Sequence, residues 1–244
     1  MTTIAERYEQ VNERIAQVAG RVGRSVDEIT LVAVTKTWPT AVLLEAYEAG
    51  MRHFGENRTA ELAQKRPKLE AELGSDSGIV WEFIGTLQSR QTAVVAELAD
   101  TFHALERMKV ANRLGRQLGE NGRSLPTFIE INVSGEASKS GFQMSNWKTD
   151  ATQREQLRSV VQTIKNLSGI EIVGLMTMAP WGAPEAEIRT VFQQTRAVRD
   201  WLETAVSGLT LPQLSMGMTD DFEIAIEEGA THVRVGRAIF GSRY

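Results

Sequence analysis

The chain has 244 residues, of which 42% are hydrophobic and 24% charged, with a formal net charge of −4 and no cysteine. This size and composition fit a folded chain with a full core and exclude a disordered one. The absence of cysteine excludes a disulfide scaffold and thiolate chemistry, and mild acidity without a basic block excludes the usual footprint of a nucleic-acid partner.

The first 22 residues predict one amphipathic helix. Apolar residues recur at helical spacing from Ile4 to Val22, and Thr3 and Glu6 occupy the positions of a capping box. Charges run through this segment, so it lacks the continuous apolar core of a signal peptide, and no other apolar run approaches membrane-spanning length. We therefore expect this helix to pack on the rest of a cytoplasmic protein that has no membrane partner.

From residue 29 onward, short apolar or β-branched runs alternate with longer segments of helical periodicity. The runs predict strands at 29–36, 53–57, 81–85, 101–106, 127–133, 171–178, 211–217 and 232–236. The segments predict helices near 39–50, 58–73, 88–99, 107–120, 150–167, 184–206 and 219–228. Such alternation is typical of βα units around a parallel sheet. Eight units predict an α/β chain folded as a (β/α)8 TIM-type barrel, with a doubly wound open sheet as the alternative.

No linker or repeat divides the sequence, so we expect a single domain over residues 1–244, with residues 1–22 as the N-terminal helix packed on the barrel. In a barrel, the loops at the carboxyl ends of the strands build the active site. Lys36 stands at such an end, after the run LVAVT. It could simply reach the surface, or it could form a Schiff base. Both a sugar-phosphate aldolase and a pyridoxal phosphate binder remain open.

The last two strands are followed by glycines. Ser215 and Gly217 precede a predicted helix, and Gly236 begins GRAIFG, which predicts a further helical turn. Loops in this part of a barrel frequently bind phosphate, because glycines let backbone N–H groups approach an anion. Asp220 and Asp221 argue against an anion unless they point away from it. Ordinary turn glycines are the alternative.

The histidines His53, His103 and His232 show no metal-ligand spacing, which predicts structural roles. The polar loop SGEASKSGF (134–142) follows the fifth strand. It could be a mobile gate or a second contact surface, and the residues alone do not separate the two.

Six blocks of the sequence together resemble a known family. They are LVAVTK, HFGEN, WEFIGTLQ, INVSGEASKSGF, GLMTM and LSMGMTDDFEIAIEEGATHVRVGRAIFG. In this order they are similar to the pyridoxal phosphate homeostasis proteins, known as YggS or PROSC proteins, from about residue 5 to the C-terminus. The resemblance implies the fold-type III barrel of the alanine racemase N-terminal domain. It also implies that Lys36 carries pyridoxal 5'-phosphate (PLP) as an internal aldimine.

The resemblance assigns further contacts to the cofactor. It implies that the phosphate is received by Ser215, Gly217, Gly236 and Arg237, that Arg234 faces the pyridine nitrogen, and that the pocket is lined by Asn57 and Met176. Two departures from the family pattern stand out. Arg237 replaces a common threonine, and Arg90-Gln91 replaces a common Asn-Lys pair.

The tyrosines of the chain bear on whether the protein only carries PLP or also catalyses a reaction with it. Racemases of this fold take a second base, a tyrosine, from an additional β-domain, and the chain ends too soon after the eighth strand for such a domain. Its tyrosines are Tyr8, Tyr47 and Tyr244, and none lies in a predicted strand-end loop. We therefore expect a monomeric, non-catalytic protein that buffers PLP or delivers it transiently to PLP-dependent apoenzymes. A PLP-dependent racemase is the alternative, followed by the aldolase.

Overall fold

The structure is a computed structural model and describes residues 2–242; Tyr244 lies outside them. Its strands are β1 (Thr30–Val34), β2 (His53–Glu56), β3 (Val80–Phe83), β4 (Thr101–Leu105), β5 (Leu125–Asn132), β6 (Phe142–Gln143), β7 (Ile170–Met176), β8 (Gln213–Met218) and β9 (His232–Val235). Its helices are α1 (Ile4–Arg21), α2 (Thr40–Glu48), α3 (Thr59–Leu73), α4 (Thr92–Leu98), α5 (Met108–Glu120), α6 (Ala151–Lys165), α7 (Glu185–Ala205), α8 (Phe222–Glu227) and α9 (Arg237–Phe240).

Eight of the strands form a closed parallel ring. They follow one another in the order β4-β3-β2-β1-β9-β8-β7-β5, and β5 pairs with β4 to complete the circle. The two-residue β6 pairs with the end of β5 only. The chain is therefore a TIM barrel rather than an open sheet, as expected, and the carboxyl ends of its strands meet at one mouth.

The eight predicted barrel strands are all present, but their ends shift. The first ends at Val34, so Lys36 lies in the turn beyond the strand rather than within it. The third spans 80–83 instead of 81–85, and α8 begins at Phe222 instead of near residue 219. The delay of α8 has a local cause, because Asp221 accepts a hydrogen bond from the Met218 N–H (2.5 Å) and holds the intervening residues in a turn. The sequence pattern did not predict β6.

Helix α1 packs across the last two βα units, as its apolar stripe predicts. Its N-terminus has the expected capping box, with Glu6 N–H donating to Thr3 Oγ1 (3.1 Å) and Thr3 N–H donating to the Glu6 carboxylate (2.7 Å). The guanidinium of Arg7 donates to the Ile239 carbonyl of α9 at 2.5 Å, and Arg14 pairs with Glu223 of α8. No helix within residues 2–242 is long and apolar enough to span a membrane.

Close packing between β7 and β8 predicts a strong effect of one methyl group. A Cβ placed on Gly174 would lie 1.9 Å from the backbone oxygen of Gln213, its register partner. We expect Gly174→Ala to lower the free energy of unfolding by about 3 kcal/mol, because backbone must move to accept it. Urea denaturation measures this, with Gly20→Ala in α1 as the control, where a Cβ meets nothing within 4 Å. Equal stability of the two variants would contradict the packing argument.

Candidate functional site

Five adjacent strands carry the eight candidate residues at or just beyond their carboxyl ends. In ring order these strands are β2, β1, β9, β8 and β7. Asn57 follows β2, and Lys36 follows β1. Strand β9 contains Arg234 and is followed by Gly236 and Arg237, β8 contains Ser215 and Gly217, and β7 ends in Met176. The barrel thus gathers residues that are distant in sequence along one side of its mouth.

Lys36 lies in a strained turn. The next residue, Thr37, has φ +70°, and it is the one non-glycine residue with positive φ within 2–242. A β-branched residue in this region costs about 1–3 kcal/mol, and such strain persists where surrounding contacts enforce it. Trp38 then packs against Phe240 of α9, with ring centroids 6.0 Å apart. The turn is therefore tied to the segment that follows β9.

Arg234 is a buried cation at the centre of this region. Its Nη1 donates to Ser215 Oγ at 2.6 Å and its Nη2 to the Thr177 carbonyl at 3.0 Å. Burial lowers the pKa of Arg234 to about 10, although the charges of Asp221 and Glu130 act to raise it. The guanidinium therefore stays charged at neutral pH, and three of its five N–H groups remain for other acceptors.

His103 and His232 are buried in the barrel, whereas the side chain of His53 is 35% exposed; His53 and His103 join a chain of hydrogen bonds. Glu82 Oε1 lies 2.7 Å from His53 Nδ1, and Glu82 Oε2 lies 2.8 Å from His103 Nε2. His103 Nδ1 in turn lies 2.8 Å from Ser215 Oγ, the atom that Arg234 donates to. We call this the Glu82 chain: His53, Glu82, His103, Ser215 and Arg234.

The proton positions in the Glu82 chain follow from its chemistry. Burial acts to raise the pKa of Glu82, but hydrogen bonds from His103 and His53 hold it well below its ordinary value. Burial lowers the pKa of His103, so this ring is neutral. An ionised carboxylate only accepts, so His103 donates through Nε2 and accepts the Ser215 hydroxyl proton at Nδ1. The hydrogen bonds therefore run in one direction: Arg234 donates to Ser215, Ser215 to His103 and His103 to Glu82.

Glu130 is a second carboxyl group inside the barrel. It lies on β5 in register with Met176, which is in register with Ser215 on β8. Burial raises the pKa of Glu130 to about 7, and Glu106 adds to this while Arg234 opposes it. This group therefore changes its protonation near neutral pH, beside the residues assigned to the cofactor.

His232 predicts a measurable pH dependence of stability. Burial lowers its pKa to about 3, while in the unfolded chain the value is near 6.5. Below pH 6.5 the unfolded chain binds a proton that the folded chain refuses, so this group destabilises the fold progressively down to about pH 3. We expect a slope approaching about 1.4 kcal/mol per pH unit. The ring packs edge-on to Phe128 (5.2 Å), so phenylalanine keeps this packing and loses only the hydrogen bond between His232 Nδ1 and Thr231 Oγ1 (2.9 Å).

Denaturation of wild type and His232→Phe across this range isolates that slope. The stability advantage of wild type should fall with pH below about 6.5, whereas parallel curves would contradict the assignment.

Asn57 and Met176 lie at the two ends of the row of five strands that carries the candidate residues, after β2 and at the end of β7. Asn57 Oδ1 is buried and accepts no hydrogen bond in the structure. Its backbone lies so close to Gly85 that a Cβ there would come 2.2 Å from the Asn57 oxygen. Met176 is buried at the end of β7. An orphaned acceptor in a fixed backbone position is a group that a ligand donor would satisfy.

The two glycine segments differ in construction. Gly217 lies within β8 and has φ +95°, and a Cβ there would lie 2.6 Å from Ala225 Cβ, so the end of β8 packs directly on α8. A Cβ on Gly236 would meet Val34 at 3.4 Å, which is ordinary contact and brings the end of β9 against that of β1. At Gly217 and Gly236 alike, this close packing holds the main chain near the barrel mouth.

The charged residues of these loops are engaged with one another. Arg237 forms an exposed ion pair with Asp220, and Asp221 is turned towards the Met218 N–H. Neither carboxylate therefore needs to face an anion at the mouth. Ser215 Oγ is bonded within the Glu82 chain, and its contact with a phosphate stays a prediction. Arg90, the other departure from the family pattern, is exposed and donates to Gln88.

The loop 134–142 is folded back on the barrel. Asn132 fixes it from within, donating to the Glu136 carbonyl and accepting from the Gly135 N–H. Lys139 reaches the Met178 carbonyl at 3.0 Å, and β6 then pairs with β5. These contacts place the loop beside the mouth, over the strand that carries Glu130.

Sequence reasoning missed Glu82 and Glu130. Both are carboxylates within short apolar strands, in the runs WEF and IEI, and both are buried. A charged residue inside such a run indicates that its side chain is paired with a polar or charged group from another strand. The partners themselves could not be named, because His103, Ser215 and Arg234 come from three other strands.

The model of the alanine racemase N-terminal domain matches residues 8–244. Among curated relatives, the pyridoxal phosphate homeostasis protein of Escherichia coli K12 is 39% identical over 248 residues, covering 100% of this chain and 98% of that protein. The protein of the same name from Aquifex aeolicus is 34% identical, covering 98% and 97%.

Solved structures agree with this. PipY of Synechococcus elongatus, solved with PLP bound, is 34% identical with a TM-score of 0.78 over 95% of this chain and 100% of that one. The alanine racemase of Corynebacterium glutamicum shares the fold, with a TM-score of 0.69 at 18% identity, over 98% of this chain and 61% of that one. The chain therefore belongs to the pyridoxal phosphate homeostasis protein family.

Proposed function

We propose that this protein binds PLP reversibly through Lys36 and serves intracellular PLP homeostasis, as a buffer or as a donor to apoenzymes. The observation that carries the proposal is the position of Lys36, in an enforced turn at the barrel mouth beside the strand of the buried cation Arg234. Relatives of this name at 34–39% identity, and PipY solved with PLP, support the choice of ligand.

The residues at the mouth fit such a ligand. The amine of Lys36 attacks the aldehyde carbon, a C=N bond forms and water leaves, and water or another amine reverses the step. We assign the phosphate to the loops at Gly217, Gly236 and Arg237, with Ser215 as a predicted partner. We assign the pocket wall to Asn57, whose buried Oδ1 lacks a donor, and to Met176.

Arg234 and the tyrosines bear on the choice between a carrier and an enzyme. Arg234 stays charged at neutral pH, and a charged guanidinium against the pyridine nitrogen would keep that nitrogen unprotonated and weaken the ring as an electron sink, although racemases of this fold tolerate such an arginine, so the tyrosines carry more of the argument. The tyrosines Tyr8 and Tyr47 lie on α1 and α2, and Tyr47 donates to the Ser77 carbonyl. Neither is placed as a second base. We further propose a single-domain, cytoplasmic monomer with no catalysis of its own.

The visible spectrum of the purified protein tests the ligand. We expect a yellow imine band, and after borohydride reduction a pyridoxyl mass on the peptide that contains Lys36. A protein that stays colourless and unmodified after incubation with PLP would overturn the proposal.

A turnover assay tests the carrier role. With amino acids as substrates, we expect no racemisation or transamination above background. Turnover that disappears in Lys36→Ala would instead establish the racemase alternative.

A further inference from the structure

Two residues of α3 grip the backbone on both sides of Lys36. Glu61 Oε2 accepts the Thr37 N–H at 2.6 Å, and Lys65 Nζ donates to the Thr35 carbonyl at 3.0 Å. Lys65 and Glu61 also bond to each other at 2.7 Å, one helical turn apart. The peptide groups before and after Lys36 are therefore held by a single element.

Lys65 is buried, and all of its N–H donors are hydrogen-bonded. This residue is only 4% exposed, and its three N–H donors have three acceptors: the Thr35 carbonyl, Glu56 Oε1 (2.7 Å) and Glu61 Oε2. The Thr35 hydroxyl donates to the same Glu56 oxygen at 2.6 Å. A buried ammonium is tolerated only with such complete pairing. We call Lys65, Glu61, Glu56 and Thr35 the α3 clamp.

The two carboxylates of the clamp differ in their electrostatics. Burial raises the pKa of Glu56, and hydrogen bonds from Lys65 and Thr35 only partly offset it. Burial acts in the same direction on Glu61, but hydrogen bonds from Lys65 and the Thr37 N–H bring the pKa of Glu61 below its ordinary value. Glu61 is thus the firmly ionised acceptor, and it is the one that holds Thr37.

The strain at Thr37 gives the clamp a purpose. A β-branched residue leaves φ +70° unless something holds it there, and the N–H bonded to Glu61 belongs to that residue. If Thr37 relaxed, the peptide after Lys36 would rotate and the lysine side chain would leave the turn in another direction. Attack on a carbonyl requires a defined approach of the amine, so a rotated Lys36 reacts less favourably.

We propose that Glu61 and Lys65 are positioning residues for Lys36: the α3 clamp holds Thr37 in its left-handed conformation and so aims the lysine into the barrel mouth. This rests on the proposed function, since the lysine is aimed at the PLP aldehyde. Glu61 is the least buried member of the clamp, with 16% of its side chain exposed, so it is the member whose substitution disturbs the barrel core least.

The chain offers a matched control on the same helix. Arg66 and Glu70 form another ion pair one turn apart, at 2.7 Å, away from the turn that holds Lys36. Glu61→Ala should weaken PLP binding by about tenfold, while Glu70→Ala should bind like wild type. Glu61→Gln keeps an acceptor for the Thr37 N–H and should lose less. Adding Thr37→Asn to Glu61→Ala should recover affinity, because asparagine tolerates the left-handed region.

Two readouts separate the clamp from the proposed function. Hydrogen exchange of the Thr37 amide, measured without PLP, should be slow in wild type and Glu70→Ala and fast in Glu61→Ala. Spectroscopic titration with PLP and mass mapping of the reduced adduct then report binding, and melting temperatures report folding. If Glu61→Ala does not fold, Glu61→Asp shortens the reach while keeping the charge and takes its place.

Each outcome decides something. Unchanged exchange at Thr37 in Glu61→Ala would overturn the clamp, and fast exchange with unchanged PLP affinity would overturn its positioning role. A protected Thr37 amide in a wild-type chain that forms no adduct at Lys36 would overturn the proposed function, and the clamp would then hold the turn without aiming the lysine at PLP. Failure of Thr37→Asn to restore any affinity would show that Glu61 acts otherwise than through Thr37.

Discussion

Replacing Lys36 with alanine is expected to abolish the visible imine band and the pyridoxyl adduct after borohydride reduction. The remaining contacts to the phosphate and the ring are non-covalent, so we expect PLP affinity to fall about hundredfold, equivalent to ~2.7 kcal/mol. Stability should change little, since Lys36 lies in a turn at the rim and not in the barrel core. Titration by absorbance and a melting curve measure both effects on one sample.

The control for this experiment is Lys68→Ala. Lys68 is an exposed lysine of α3 that lines the same depression as Thr37 and Trp38, so its loss removes one reactive amine near the turn while Lys36 itself stays in place. It should keep the band and the adduct. A Lys36→Ala variant that still gives a stoichiometric adduct on another lysine would show that the aldehyde is held elsewhere, and would contradict the assignment of the site.

A large effect on stability is expected at Glu82. Glu82→Ala removes the acceptor shared by His53 and His103 and leaves the Nε2–H of a fully buried ring without a partner. The lost hydrogen bonds, the orphaned donor and the cavity together predict a fall of about 3 kcal/mol in the free energy of unfolding. Urea denaturation at neutral pH measures it.

Glu82→Gln is the matched variant, because it keeps the volume and one carbonyl oxygen as acceptor. We expect it to lose about 1 kcal/mol, since only one of the two histidine bonds can be kept in its present sense. If both variants were as stable as wild type, the Glu82 chain would not contribute to the fold. If both were equally unstable, the negative charge rather than the hydrogen-bond geometry would be what matters.

Much of the fold could be predicted because its signals are local. Strands such as 125–132 and 170–176 are apolar runs flanked by polar turns, and the helices between them have helical periodicity. Ends were less predictable: β1 stops two residues before Lys36, because the turn there is enforced by Glu61 from a distant helix. The two-residue β6 carries too few residues for any pattern.

The candidate site divides in the same way. Lys36, Gly217 and Gly236 could be predicted as candidates because lysine and glycine at strand ends have a chemical meaning on their own. Lys65 was not, since a lysine on an amphipathic helix normally lies in solvent. Its burial depends on Glu56 at the end of β2 and on the Thr35 carbonyl after β1. Such contacts are set by how α3 packs on these strands, which the spacing of residues along the sequence does not show.

The one-way order of the Glu82 chain has a consequence for how this sequence can drift. Arg234 donates a hydrogen bond to Ser215, Ser215 to His103 and His103 to Glu82, so a change at Ser215, His103 or Glu82 alone leaves a buried neighbour without its partner. Loss of the Ser215 hydroxyl, for example, removes the hydrogen-bond partner of both Arg234 Nη1 and His103 Nδ1. Ser215, His103 and Glu82 therefore depend on one another across three strands, and we expect relatives either to keep all three residues or to replace all three together.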